Sequence, residues 1–325
     1  MGKTSLKNSI LNIPGRLAWT TMELMAPLNF MYVLMTLSPT TTYMDTETSS
    51  LTPSTTTTAI TVVMSLPPQN QILAVLYLLH YVNRAVISPL FAAPSMSPIH
   101  AFIAISGLVF NWFNSTCLAA WLVGYHVPVV GYNNTTTITT TTTSGSGKRP
   151  VISDYLPYVG IVLFFLGMTG NIVAERTFFR LRREEADRLH ATTSKDHSAK
   201  KNSNDNKYSK VYVIPPAKGL FRYILYPHYV CEWLEWTGFI LVGTAVYPAP
   251  GVVAPPMNLA PWLAPAAAVA DRLQVPLPLP AVIFAVNAVT SMIPQARLGK
   301  KWYLGRFGKD KVAGRGAVVP LSNWL

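Results

Sequence analysis

The sequence predicts an all-α, polytopic bundle of transmembrane helices. Three observations carry this reading. Charge is scarce, six apolar stretches approach the thickness of a bilayer, and several connecting segments are polar and low in complexity. Of 325 residues, 50% are hydrophobic and 12% charged, where a typical soluble domain carries about 25% charged residues. The mean hydropathy is +0.28.

A spanning helix needs about 20 mostly apolar residues. Taken in order, the candidates are 17–37, 72–91, 100–123, 155–173, 229–247 and 277–293, the last interrupted by Pro278 and Pro280. A shorter apolar run, 59–66, precedes the second. The first fourteen residues carry Lys3 and Lys7 but no apolar core of the signal-peptide type. Residues 38–58, 133–147 and 191–210 lack the apolar content to join a packed core and read as mobile loops within a single domain, 1–325.

The net charge of +12 is clustered at 176–218 and from Arg297 to Arg315. Clusters beside apolar spans follow the positive-inside rule and argue against nucleic-acid binding. Both basic segments should share the cytosolic side, with two spans between them. The Thr-rich loop 133–147 then lies in the lumen, where its sequons at Asn133 and Asn134 can be glycosylated. The chain start, with Lys3, Lys7 and Arg16, is then cytosolic. Asn114-Ser115-Thr116 lies within a span and reads as unused. Cys117 and Cys231 have no paired spacing and read as small buried hydrophobes rather than a disulfide or metal site.

A charged group at the bilayer centre costs about 2.5–3.5 kcal/mol, so ionisable residues inside spans mark function. They are Glu23 in the first span; His80, Tyr81, Asn83 and Arg84 in the second; Asn171, Glu175, Arg176 and Arg182 at the end of the fourth; and His228, Glu232 and Glu235 in the fifth. Glu232 and Glu235 share one helical face and need partners from another segment or a ligand. Blander readings stand beside these. His80 can be a hydrogen-bonded core histidine, Arg84 reads as a cation that snorkels to the interface, and Trp233, Trp236 and Trp302 read as interfacial anchors. No GxGxxG after a strand, P-loop, GxSxG, HExxH or CxxC pair is present.

The strings AWTTMEL, LLHYVNRAVISPL, GMTGNIVAERTFFRLR, VYVIPPAKGLFRYILYPHYVCEWLEW and KKWYLGRF…GRGAVVP occur in the order seen in the steroid 5α-reductase family, which the chain resembles over most of its length and best over 153–325. The resemblance implies a seven-helix fold, NADPH as cofactor, the endoplasmic reticulum membrane as location, and a lipid or steroid enone as substrate, with no metal. It implies catalytic roles for Glu23 and for Tyr81, the donor to the substrate carbonyl. It implies cofactor contacts from Asn171, Glu175, Arg182, Tyr212, His228, Glu232, Tyr303 and Arg315.

Several departures mark a divergent member. Met22 replaces the family glutamine, Glu175 an aspartate, and His228 an asparagine found in many members. IPQARLGKK lacks the histidine that family members carry before Trp302-Tyr303. One residue, Pro216 or Ala217, is additional. The family's first span has no counterpart, as expected of a divergent member or a shortened gene model. A polyprenol or trans-2-enoyl-CoA reductase, an isoprenylcysteine-type methyltransferase, and an inactive scaffold are the competing readings.

Overall fold

A computed structural model describes residues 9–37, 59–132, 151–193, 207–208, 211–247, 256–258 and 260–320. The loops 38–58 and 133–147 and the two sequons Asn133 and Asn134 lie outside the described residues. The architecture is all-α. Its helices are α1 (Gly15–Leu37), α2 (Ala59–Ser65), α3 (Pro68–Tyr81), α4 (Ala101–Leu122), α5 (Val151–Thr193), α6 (Pro227–Gly243), α7 (Ala264–Leu273) and α8 (Leu279–Val312). A π-helical segment, Val82–Ala92, continues α3 without a break. Four two-residue strands complete it: β1 (Asn12–Ile13) pairs antiparallel with β2 (Ile99–His100), and β3 (Val129–Val130) pairs parallel with β4 (Met257–Asn258).

Each of the six apolar stretches is carried mainly by a helix, although 229–247 runs past Gly243 at the end of α6 and 277–293 starts before Leu279 at the start of α8. Four helices, Pro68–Ala92, Ala101–Leu122, Ile152–Thr192 and Leu279–Val312, are long and apolar enough to cross a membrane. The other two expected spans, α1 and α6, carry the polar load of the site: Glu23 and Asn29 in one, Glu232 and Glu235 in the other. The prolines that interrupt the sixth stretch are not an obstacle. Helix α8 begins at Leu279, so Pro280 sits in its first turn, where no intrahelical N–H is required.

Helices α5 and α6 pack at backbone contact. A Cβ on Gly167 of α5 would lie 2.4 Å from the Glu235 nitrogen, and one on Gly238 of α6 would lie 2.4 Å from the Phe164 nitrogen. Small residues permit this approach in a membrane, where packing rather than exclusion of water draws helices together. Helices α1 and α4 are stitched by amides instead. Asn29 Nδ2 faces the Trp112 carbonyl, Ser115 Oγ and Thr116 Oγ1 at 3.1, 2.8 and 2.8 Å, and Asn111 Nδ2 donates to the Met22 carbonyl at 2.7 Å. Gly107, one turn before Asn111, leaves the room that the Met22 side chain occupies.

The principal core gathers Phe30, Tyr77, Leu118, Phe164, Trp236, Phe239 and Phe284. Trp236 is therefore a core residue, not an interfacial anchor: it is 2% exposed, and its ring meets those of His80 and Phe284. The outward faces of α1, α4 and α5 are apolar, with Leu28, Phe102, Phe113 and Leu166 all exposed, as a lipid-facing surface requires. Cys117 is exposed on α4 rather than buried, a position that hydrocarbon makes acceptable for a thiol.

A second cluster, with Leu225, Tyr226, Tyr229, Met292, Ala296 and Tyr303, forms the end where the basic parts of α5 and α8 meet. Here the backbone of 223–226 is laced to 316–317: Leu225 N–H donates to the Gly316 carbonyl, Tyr226 N–H to the Ala317 carbonyl, and Gly316 N–H to the Tyr223 carbonyl.

Candidate active site

Helix α1 offers Trp19 and Glu23 one turn apart, both toward the π segment. Pro27 follows Glu23 by four residues and cannot donate to its carbonyl. The backbone just before Glu23 is held by the Asn111 amide. Glu23 is 8% exposed.

The π segment presents Arg84 and Ser88 beside α1 and α5. Arg84 Nε lies 3.6 Å from Glu23 Oε1, and Arg84 Nη1 lies 3.7 Å from Glu232 Oε2. The guanidinium also stands over the Trp19 ring, 4.8 Å from its centroid. One cation therefore joins a carboxylate of α1 to a carboxylate of α6. Asn171 Nδ2 donates to the same Glu232 oxygen at 3.1 Å, and Ser88 Oγ donates to Glu175 Oε2 at 2.5 Å. Glu235 turns the other way and pairs with His80 Nδ1 at 2.8 Å. Tyr81 is 3% exposed, with its ring 4.8 Å from that of Tyr77 and 5.1 Å from that of His80.

Nine of the ten residues expected from sequence thus separate into two groups. Glu23, Tyr81, Asn171, Glu175 and Glu232 surround Arg84 inside the bundle. Arg182, Tyr212, Tyr303 and Arg315 lie at the basic end, close enough for Arg182 to interact electrostatically with Tyr212 and Tyr303, and Tyr303 with Arg315. His228 stands between the groups, against Phe178, Tyr226 and Tyr229.

Two arginines at the basic end are already engaged. Arg182 donates to the Ser95 carbonyl, Ser95 Oγ and the Tyr208 carbonyl at 3.2, 2.6 and 3.3 Å. Arg315, 3% exposed, donates to the carbonyls of Val312, Pro215, Phe221 and Lys311 at 3.0, 2.8, 3.3 and 3.0 Å. Burial lowers the Arg315 pKa from its ordinary value. Its guanidinium fastens the turn after α8 to the 211–222 segment.

Arg84 is the residue that the sequence misassigned. It does not snorkel; it is enclosed by Trp19, Glu23 and Glu232. The available signal was LLHYVNR, which sets Arg84 one turn after Tyr81. His80 follows its blander reading, a satisfied core histidine, with Glu235 as partner. Ser88 had no signal, since its partner Glu175 is 87 residues away.

The site contains atoms suited to a polar ligand. The buried His228 Nδ1 and Arg182 Nε have no hydrogen-bond partner. Unpaired buried nitrogens of this kind are costly unless a ligand or water meets them. The Asn171 amide and the carboxylates of Glu175 and Glu232 fit the amide and hydroxyl groups of a dinucleotide, and Arg182 Nε fits a phosphate oxygen. Among the described residues no group of three His, Cys, Asp or Glu side chains could hold a metal ion.

Comparison with known proteins points to one family. Residues 97–250 match the family model described as 3-oxo-5-alpha-steroid 4-dehydrogenase. That span contains Asn171, Glu175, Arg182, Tyr212, His228 and Glu232. A Schizosaccharomyces pombe protein described as "Uncharacterized protein C9.08c" is 27% identical over 95% of this chain and 84% of its own length. "Steroid 5-alpha-reductase DET2" of Solanum lycopersicum is 24% identical over 75% of this chain and 66% of its own. The Arabidopsis thaliana protein of the same description is 23% identical over 79% and 71%. The matched region, the ordered motifs on both sides of it and the helical membrane architecture together support a divergent member of the steroid 5-alpha-reductase family.

Proposed function

We propose that the protein is an NADPH-dependent reductase of a carbon–carbon double bond conjugated to a carbonyl, acting on a 3-oxo-Δ4-steroid or related sterol enone in the endoplasmic reticulum membrane. Family membership supports an oxidoreductase acting on a CH–CH bond of a steroid enone. The observation that carries the finer reading is the polar row Glu23–Arg84–Glu232–Asn171, which joins α1, the π segment, α6 and α5 inside the bundle. The basic part of α5 and the segment after α8 pack at one end of the bundle, which supports a shared cytosolic side.

When bound, NADPH supplies the hydride. Addition at the β carbon places negative charge on the carbonyl oxygen. The Tyr81 hydroxyl donates a hydrogen bond to that oxygen, and its burial keeps water from competing for the position. Glu23, paired with Arg84, holds the tyrosine. The carboxylates of Glu232 and Glu175 would stabilise positive charge on a bound nicotinamide. Asn171 and Ser88 aim those carboxylates. A proton then reaches the α carbon from water or a nearby acid. Asn171, Glu175, His228 and Glu232 hold the inner part of the cofactor, and Arg182, Tyr212 and Tyr303 its outer part. Arg315 shapes that outer end through the backbone it binds.

The test is NADPH consumption by purified protein with a 3-oxo-Δ4-steroid, a polyprenol and a trans-2-enoyl-CoA, with products identified by mass. The steroid is expected to be reduced. Glu23→Gln and Tyr81→Phe are each expected to lose about a hundredfold in kcat, the range seen when a donor to a developing oxyanion is removed. Full activity in Tyr81→Phe, or reduction of the polyprenol or enoyl-CoA alone, overturns the assignment.

A further inference from the structure

We propose that Arg84 is the positioning residue that sets the two halves of this site against each other, and that Trp19 and Pro89 are the device that holds Arg84 in place. The inference rests on the reductase reading for its kinetic consequence, and on geometry alone for the device.

The argument starts from Pro89. It lies inside the π-helical segment Val82–Ala92. In a π-helix each N–H donates to the carbonyl five residues earlier, as Ala93 does to Ser88 at 2.9 Å. Proline has no N–H, so the carbonyl of Arg84 loses the bond that residue 89 would make. A partly buried carbonyl left without a donor carries a cost. Here the indole of Trp19 supplies the donor: Trp19 Nε1 reaches the Arg84 carbonyl oxygen at 3.4 Å. The same indole offers its face to the Arg84 guanidinium at 4.8 Å. Trp19 therefore grips both the backbone and the side chain of one residue.

The grip has a direction. Glu23 follows Trp19 by one turn of α1, so the indole and the carboxylate bracket the guanidinium from the same helix. The opposite side of the guanidinium meets Glu232 of α6 at 3.7 Å. Arginine suits this post because its planar fork can face two carboxylates at once, whereas lysine carries a single point of charge. Withdrawal of Arg84 would leave Glu23 and Glu232 without their shared cation, although Asn171 would still donate to Glu232.

A mutational cycle decides the matter. Trp19→Phe keeps the ring but removes the N–H. Pro89→Ala supplies the missing backbone donor and makes the indole N–H dispensable. Trp19→Phe in the native background is expected to lower kcat about fivefold with little change in KM for the enone, the loss appropriate to one hydrogen bond. In the Pro89→Ala background the same change should cost less than about twofold. Arg84→Met is expected to lower kcat about a hundredfold and to weaken NADPH binding, measured by fluorescence titration, about tenfold, because two buried carboxylates lose their cation. Arg84→Lys should restore NADPH affinity further than it restores kcat. Equal cost of Trp19→Phe in both backgrounds overturns the device. Unchanged kcat and NADPH affinity in Arg84→Met overturns the positioning role. If the native protein reduces no enone, the proposed reaction falls, while the cycle read in thermal melting and NADPH titration still decides the device.

Discussion

Replacement of Glu235 by alanine tests the contribution of the most deeply buried acid–histidine pair in the described bundle. Glu235 Oε1 and His80 Nδ1 are 2.8 Å apart, with side chains 1% and 7% exposed. Water cannot replace either partner at such burial. A hydrogen bond to a charged group contributes about 1.5–3 kcal/mol net, and stranding the buried partner places Glu235→Ala at the upper end, about 3 kcal/mol. That is about a 150-fold change in the folding equilibrium. Glu235→Gln keeps an acceptor oxygen in place and should cost only about 1 kcal/mol. The double variant His80→Ala/Glu235→Ala strands neither group, so its cost should fall below the sum of the two single changes by about 1–3 kcal/mol. Denaturant unfolding in a mild detergent measures all four proteins. Additive costs would show that the 2.8 Å contact carries no coupling and would refute the reasoning.

Three further outcomes are expected. Gly167→Ala brings a methyl group 2.4 Å from the Glu235 nitrogen; thermal melting should register about 1–3 kcal/mol of overpacking, and NADPH affinity should fall with it as α6 moves away from Asn171. Ser88→Ala removes the donor to Glu175; NADPH titration should show about a tenfold loss, the equivalent of about 1.4 kcal/mol. Arg315→Met frees the carbonyls of Pro215 and Phe221; limited proteolysis should then cut the 211–222 segment faster while Tyr81 and its surroundings remain protected.

The sequence made the spans legible because length and apolar content alone define them. It also made the acidic residues of the site legible, since a carboxylate inside a span demands explanation wherever its partner is. The partners were a different matter. Glu232 and Glu235 lie on one face of α6, yet one turns to Arg84 and Asn171 and the other to His80, a division set by the two helices packed against that face. Arg84 read as a snorkelling cation because a long cationic side chain in a span usually reaches for the interface. The π register and the carbonyl that Pro89 leaves open carry no distinct periodic signal over eleven residues. Trp236 read as an anchor because aromatic residues near span ends usually are; tight α5–α6 packing through Gly160, Gly167 and Gly238 draws it inward instead. The role of Arg315 depends on four carbonyls from two segments, which no local string can disclose.

The backbone lacing between 223–226 and 316–317 has a consequence for the order in which the protein is made. Those bonds close a loop that contains α6, α7 and α8 and fasten the entry to α6, where His228 and Tyr229 stand. A nascent chain that has emerged only as far as α7 already contains Glu23, Tyr81, Arg84, Asn171 and Glu232, and the inner row can assemble. The basic end stays unlatched until Gly316 and Ala317 have left the ribosome. Inner and outer parts of the site would therefore mature as separate events during biosynthesis, and a chain arrested before residue 316 would hold the inner polar row without the floor beneath it.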